Sequence, residues 1–291
     1  MPSSPSGTGL QRMRINTHKE SAMRGLRFFK LSPGGNSTIL ILDPVPAGER
    51  APTARRLMDV HHLQAEQVGY LDLHVRPVRL DMMGGEFCGN ACRAAAAVML
   101  RENPALFMKE TDGSLHADIS VSGVEEVLRV KTVSGPHGHE YWARMPLPSS
   151  PEMAAELAPG VGLVSLPGIT HLCLDQTTHP FPADWAAQAS GLRRKYGLDQ
   201  EAVGCIWHED RAIRPVVWVR ATDSTHLETG CGSGSLALAL WLGKGKIFPL
   251  DMRIRQPSGQ DIGVRVEKSE DGFRAWIHGP VAVVAHGETY V

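Results

Sequence analysis

The sequence lacks several features that would place the protein at a membrane or on nucleic acid. It contains no apolar run of the roughly 18 residues that a membrane-spanning helix needs. Its net charge is −1, and it has no cluster of lysines and arginines. Residues 1–23 lack the apolar core of a secretory signal, so we interpret them as a disordered extension. We therefore expect a cytoplasmic protein whose partner is neither a membrane nor a nucleic acid.

The sequence is also poor in cysteine. Five cysteines in 291 residues are too few, and odd in number, for a disulfide scaffold, so we expect reduced thiols. Cys88 and Cys92 form a CxxxC pair, but no second Cys/His pair follows at ligand spacing, and we expect no metal. Cys92, Cys173 and Cys205 lie among apolar residues and are interpreted as core thiols.

Short β-branched segments bounded by Gly and Pro dominate the chain, and four helical patterns interrupt them. The helices are expected over 52–63, after Cys88, over 182–197 and after Cys231, which predicts a strand-rich α/β fold. The proline-rich segment Met145–Gly160 is typical of a linker. We therefore predict an N-terminal domain over 24–147, a C-terminal domain over 148–280, and a closing strand over 281–291 that returns to the N-terminal domain.

An internal repeat carries the functional signal. CGNACRAAAA from Cys88 aligns without a gap with CGSGSLALAL from Cys231, so each half presents a cysteine at the head of an apolar helix. The first amides of a helix have no partner within the helix and carry partial positive charge, which suits a carboxylate. Gly89–Asn90 and Gly232–Ser233 would supply these amides. The same dipoles are expected to lower the thiol pKa values towards neutrality.

Two acid/base groups on opposite sides of one bound carboxylate suit inversion of an amino acid α-carbon. One thiolate would remove the α-proton, and the opposing thiol would return a proton to the other face. A redox enzyme that uses Cys88 and Cys92 is an alternative, but it leaves the motif at Cys231 unexplained. A non-catalytic amino-acid or metal-binding protein is a second alternative.

These motifs resemble those of diaminopimelate epimerase and its cofactor-independent relatives. LRFFKLSPGGNSTILILD, VSLPGITH, RQPSG and HGPVAVVAHGE resemble further segments of that family, so the resemblance covers almost the whole chain after Met23. It implies two pseudosymmetric α/β domains, each a sheet wrapped around a central helix, with the site in the cleft between them. It also implies no pyridoxal phosphate, no metal and a possible homodimer. Related phenazine-type isomerases share this fold but lack the paired thiols.

The resemblance also assigns residues. Cys88 and Cys231 take the catalytic positions, Asn36 resembles a cleft asparagine, and His171 occupies the position of the family histidine. Glu228 is expected either to hold the substrate ammonium group or to partner Cys231; its alternative role is that of a surface acid at the helix N-terminus.

The departures from diaminopimelate epimerase concern the far end of the substrate. Ile169 and Gly204 stand where that family has asparagines, and no Glu-Arg-Gly segment precedes Cys231. A buried distal carboxylate would lack partners, which is energetically costly. GGEFCGNA, CGSGS and SPGGNSTIL resemble the histidine racemases that supply D-histidine for metallophore biosynthesis. We therefore expect a histidine racemase, with diaminopimelate epimerase as the alternative.

Overall fold

The computed structural model describes residues 24–136, 138–147, 153–220, 223–270 and 272–291. Its elements fall into two series that share most of their order. The first series is β1 (Gly25–Ser32), β2 (Thr38–Ile41), α1 (Ala47–Met58), β3 (Gln67–Asp72), β4 (Val78–Met82), α2 (Gly89–Glu102), β5 (Met108–Lys109), β6 (Leu115–Val121), β7 (Leu128–Gly135) and β8 (Gly138–Met145). The second is β9 (Ala154–Ala158), β10 (Val161–Leu166), β11 (Ile169–Asp175), α3 (Trp185–Lys195), β12 (Ala202–Glu209), β13 (Ala212–Val219), β14 (Ser224–Leu227), α4 (Gly232–Leu242), β15 (Leu250–Arg255), β16 (Asp261–Ser269), β17 (Gly272–Pro280) and β18 (Ala282–Tyr290).

The strand pairings repeat between the two halves. In the first, β1–β2 is antiparallel, β2–β3 parallel, β3–β4 antiparallel, β4–β6 parallel, and β6–β7–β8 antiparallel. In the second, β10–β11, β11–β12, β12–β13, β13–β15 and β15–β16–β17 follow the same series of directions. The antiparallel pair β8–β17 joins the halves. The predicted pseudosymmetric α/β fold is confirmed.

One strand at the end of the second series returns to the first half. After β8 the chain enters β9, which pairs with β10 of the second half. After β17 it enters β18, which pairs antiparallel with β1 of the first half. The division at residues 147 and 148 itself stays a prediction, and residues 1–23 lie outside the described part.

Each sheet wraps around one helix that is buried over most of its length. Residues 89–99 of α2 are all buried, and most of α4 is buried as well. Four consecutive alanines in α2 (residues 94–97) are 0–5% exposed, and such small side chains let the strands approach the helix closely. One apolar core continues from α2 and its strands to α4 and its strands.

Two boundaries differ from the predicted ones. The first helix spans Ala47–Met58 instead of 52–63, because Pro52 lies inside the helix rather than at its first position and Asp59 leaves helical geometry. The proline-rich Met145–Gly160 segment contains β9, so it is not wholly a linker. In the described part of the chain, no helix combines the length and the apolarity needed to cross a membrane.

Candidate active site

Cys88 and Cys231 occupy equivalent places, each as the N-terminal cap of a central helix. Both have extended backbone geometry, and both sulfurs accept a hydrogen bond from the amide three residues on. The sulfur–nitrogen distances are 3.4 Å from Cys88 to Ala91 and 3.3 Å from Cys231 to Gly234. A cysteine therefore takes the role that serine or aspartate usually has at this position, which places each sulfur beside the positive end of its helix.

The first turns of α2 and α4 lie against each other. Asn90 Nδ2 donates to the Gly230 carbonyl over 3.2 Å, and a Cβ built on Gly232 would lie 3.3 Å from Asn90 Oδ1. A Cβ on Gly89 would lie 2.5 Å from Met145 Sδ, so glycine lets the first turn of α2 pack closely against the end of β8. Among the hydrogen bonds of the described residues, none is donated by the amides of Gly89, Asn90, Gly232 and Ser233.

The Cys88 thiol is held by an amide network. Its Sγ donates to Gln67 Oε1 over 3.2 Å. Gln67 Nε2 in turn donates to Asn36 Oδ1 at 2.5 Å and to Thr38 Oγ1 at 2.7 Å. Asn36 is 7% exposed, and its Nδ2 donates to Glu66. The predicted cleft residue Asn36 therefore reaches Cys88 through Gln67.

The Cys231 thiol has a carboxylate neighbour instead. The Glu228 side chain interacts with the thiol, and Ser233 Oγ lies 3.6 Å from Sγ. The backbone amide of Cys231 donates to Gln256 Oε1 over 2.9 Å. Gln256 is 3% exposed, and its Nε2 donates to Ser235 and to the Ile254 carbonyl. The two thiols are thus symmetric in backbone and different in side-chain partner.

The predicted lowering of the thiol pKa values is wrong for this geometry. Cys88 is only half-buried by surface area, yet the protein atoms packed around its sulfur raise its pKa to about 11. Burial, together with the nearby Glu228, also holds the Cys231 pKa above its ordinary value. The capping amides act in the expected direction, but desolvation outweighs them. Burial raises the pKa of Glu228 to about 7, near enough to neutrality for proton transfer.

A loop of the first half closes onto the second half at the site. Ser258 Oγ donates to the Gly34 carbonyl over 3.0 Å. Thr229 Oγ1 lies 3.1 Å from the Gly35 carbonyl and 2.6 Å from Glu66 Oε1. A Cβ on Gly230 would lie 2.6 Å from the Gly34 carbonyl. The residues just before Cys231 are therefore fixed by the first half.

Gly35→Ala is expected to loosen this closure. Gly35 has φ +98°, and an added Cβ would lie 2.1 Å from the Ser258 side chain. Gly113 has φ +83° with nothing within 4 Å of an added Cβ, so Gly113→Ala carries the backbone strain without the overlap. We expect Gly35→Ala to lose about 1–3 kcal/mol more stability than this control in denaturant unfolding. Equal losses would show that the contact with Ser258 contributes nothing.

His171 lies apart from these hydrogen bonds. It is fully buried in β11, and a Cβ on Gly204 would lie 2.1 Å from its ring, so glycine there makes room for the imidazole. Neither ring nitrogen has a partner among the described residues, and burial lowers its pKa to about 3. His171 shares its face of β11 with Cys173, which packs in the core with α4. Its role in substrate binding stays a prediction.

Four residues at the site were not found from the sequence: Glu66, Gln67, Thr229 and Gln256. Gln67 opens β3 and Gln256 follows β15, so both reach the two cysteines, Gln67 at the thiol and Gln256 at the backbone amide, only through the folding of distant strands. Gln256 lies within RQPSG, a segment already singled out by resemblance, which was the available signal for it. The described residues contain no group of three or more His, Cys, Asp or Glu arranged to hold a metal ion.

Comparison with known proteins shows the family of the chain. The family model described as histidine racemase CntK N-terminal domain matches residues 25–290. A histidine racemase from Fusobacterium nucleatum is 31% identical over 274 residues, covering 91% of this chain and 97% of the relative. The chain belongs to the histidine racemase family. The resemblance drawn from the paired cysteine motifs is therefore confirmed, and the protein is an isomerase.

Solved structures show how widely the fold of this histidine racemase family member is shared. A Bacillus anthracis phenazine biosynthesis protein of the PhzF family superposes with a TM-score of 0.64 at 14% identity, covering 92% of this chain and all of the other. A hydroxyproline epimerase from Agrobacterium vitis superposes with a TM-score of 0.61 at 10% identity, covering 92% and 93%. At these identities the likeness concerns the fold alone.

Proposed function

We propose that the protein racemises histidine without pyridoxal phosphate, with Cys88 and Cys231 as the two acid/base groups. The observation that carries the proposal is the pair of cysteine-capped helices whose first turns are joined by the Asn90–Gly230 hydrogen bond. One thiol on each side of a shared anion site is the arrangement that two-base inversion requires.

The substrate carboxylate would bind between the two helix heads. The amides of Gly89, Asn90, Gly232 and Ser233 point outward from the first turns and carry partial positive charge. As the α-proton leaves, negative charge moves onto this carboxylate, and fixed dipoles already aimed at it stabilise the transition state. The contacts of Gly34 and Gly35 with Thr229 and Ser258 would exclude water from the closed cleft.

The different partners of the thiols suggest different resting roles. Cys231 lies beside Glu228, whose carboxylate can accept its proton as the thiol sulfur takes the α-proton. Cys88 donates to the neutral Gln67 amide and so keeps its own proton, which it can deliver to the opposite face. After one turnover Cys231 holds the α-proton, Glu228 holds the proton that Cys231 gave up, and Cys88 is a thiolate. Loss of the Glu228 proton to water and uptake of one proton by Cys88 restore the starting state.

Two observations support histidine as the substrate. The relatives are histidine racemases, and the far end of the pocket lacks side-chain hydrogen-bond donors for a second carboxylate. Ile169 and Gly204 offer no hydrogen-bond donor where the resembled epimerases have asparagines. A second carboxylate, such as that of diaminopimelate, would remain unpaired there. The redox alternative is weakened by Cys92, which is 1% exposed inside α2 and would be a poor resolving thiol.

Further expectations belong to the same proposal. The five free cysteines favour a reducing compartment and hence the cytoplasm. The product D-histidine would feed metallophore biosynthesis, and a homodimer is the expected assembly.

Proton exchange in deuterated water tests the function directly. The reduced protein is incubated with L-histidine, with diaminopimelate and with a panel of other L-amino acids, and α-proton loss is followed by NMR while chirality is followed by polarimetry. We expect exchange and racemisation with histidine and not with diaminopimelate. Exchange with diaminopimelate would overturn the substrate assignment, and exchange with no amino acid would overturn the activity.

A further inference from the structure

Arg93 is a fully buried cation in the fifth position after Cys88. Its side chain has 0% exposure and lies inside α2, among the largest fully buried side chains of the described residues. Its three hydrogen bonds go to the Tyr141 carbonyl (3.2 Å), the Pro280 carbonyl (3.0 Å) and Asn90 Oδ1 (3.3 Å). All three acceptors are neutral oxygens.

The charge of Arg93 has no direct counter-ion in the described part of the chain. The carboxylate that bears on it is Glu140, which is hydrogen-bonded to Arg253 and His278 instead. Burying a cation without a paired anion is costly, and an apolar residue of similar size would fill the same space more cheaply. Packing alone therefore does not account for arginine here.

The bond to Asn90 connects Arg93 to both helix heads. Asn90 Oδ1 accepts from Arg93, which fixes the orientation of the amide so that Nδ2 donates to the Gly230 carbonyl. Gly230 directly precedes Cys231. Arg93 therefore acts on the head of α2 through its own helix and on the head of α4 through Asn90.

The surrounding backbone makes room for this guanidinium. A Cβ on Gly279, which has φ +143°, would lie 3.1 Å from Nη2, and a Cβ on Gly34 would lie 3.7 Å from Nη1. Strand β8, the end of β17 and the loop after β1 thus converge on one cation. The titratable groups around it are Cys88 on its own helix, Glu140 on β8 and His278 on β17.

We propose that Arg93 is a positioning residue of the racemase, which holds the two helix heads in register through Asn90 and adds positive charge behind the site of the substrate carboxylate. The inference rests on the proposed function for its catalytic consequence. The electrostatic part of the proposal is that the Arg93 charge favours the Cys88 thiolate, and it can be tested without a substrate. The proposal also accounts for the buried charge of Arg93, because an anion bound between the helix heads would be its counter-ion.

Three substitutions separate charge, hydrogen bonding and packing. Arg93→Gln removes the charge, and Arg93→Lys keeps the charge but loses the planar fork that reaches Asn90. Arg50→Gln is the control, since Arg50 is a partly buried arginine that pairs with Asp81 and donates to a backbone carbonyl. The measurements are KM and kcat for histidine, and the pH profile of Cys88 alkylation by iodoacetamide, located by peptide mass spectrometry.

In Arg93→Gln we expect Cys88 alkylation at pH 8 to slow at least about twofold, because a positive charge that interacts with Cys88 is removed and the thiol pKa rises. KM should rise at least fivefold. Arg93→Lys should raise KM with a near-normal alkylation profile, and Arg50→Gln should change neither. If folded Arg93→Gln keeps the wild-type profile and KM, the proposal is wrong.

If Arg93→Gln does not fold, Arg93→Lys alone decides the positioning part, because it keeps the charge and loses the Nη1 bond to Asn90. A raised KM in that variant supports the proposal, and an unchanged KM overturns it. Wild-type protein that fails to racemise histidine refutes the proposed function. The Cys88 alkylation profile of Arg93→Gln still decides the electrostatic part in that case.

Discussion

Serine at either Cys88 or Cys231 is expected to lower the rate of histidine racemisation by about 10³-fold or more, because a hydroxyl is too weak an acid and base for α-proton transfer at neutral pH. The two variants should differ in the α-proton exchange that they retain. Each keeps one thiol, which can remove and return a proton on its own face. Each variant should therefore exchange the α-proton of one histidine enantiomer with deuterium, without inversion, and the two should prefer opposite enantiomers.

NMR of α-proton exchange with separate L- and D-histidine samples measures this, with chiral chromatography for inversion. Cys205→Ala is the control, since Cys205 is a buried thiol packed with the residues around α3, away from both helix heads. Retention of racemisation by either serine variant would contradict the two-thiol mechanism. The same enantiomer preference in both variants would contradict the placement of the thiols on opposite faces.

Glu228→Gln is expected to shift the acidic limb of the pH profile of kcat/KM to higher pH. In the wild type the carboxyl, with a pKa of about 7, must be ionised to accept the Cys231 proton, so kcat/KM should rise as the pH passes 7. It should fall again towards pH 11, where Cys88 loses the proton it must donate. Without the carboxylate, Cys231 must lose its own proton to water, and burial, the largest cause of its raised pKa, remains after the contribution of Glu228 is removed. The rise should therefore move upward in pH, with about 10²-fold lower activity at pH 7.5.

The pH dependence of kcat/KM between pH 5.5 and 11 checks this prediction. Glu86→Gln is the matched control, because Glu86 is exposed and also raises the Cys88 pKa through its charge, yet it has no interaction with Cys231. The control should keep the rise near pH 7. An unchanged rise in Glu228→Gln would remove Glu228 from the proton path.

Local sequence patterns predicted a strand-rich α/β chain with a cysteine-headed helix in each half, and the family resemblance supplied the two sheets that wrap around these helices. The gapless alignment of the Cys88 and Cys231 motifs depends on residues adjacent in the chain, and both cysteines do cap helices. The amide and carboxyl partners could not be predicted in this way. Gln67 and Gln256 lie 21 and 25 residues from the cysteines they contact, and only strand packing brings them together.

The pKa prediction failed for a related reason. The helix dipole is visible in the sequence, since it needs only a helix that starts at the cysteine. Desolvation depends on how many atoms from other elements surround the sulfur, and this becomes known only from the fold. β9 was missed because its short run, Ala154–Ala158, lies among prolines that are typical of a linker.

The return of β18 to the first half has a consequence for how the protein is made. β1 pairs along its whole length with β18, from Gly25 opposite Tyr290 to Ser32 opposite Ala282. During translation the first half therefore emerges from the ribosome before β18 does. The edge of β1 that pairs with β18 stays unpaired until β18 has emerged. Pairings between such distant residues form slowly, and an open strand edge is prone to wrong pairing. Release of β18 from the ribosome is thus the step that completes the sheet of the first half.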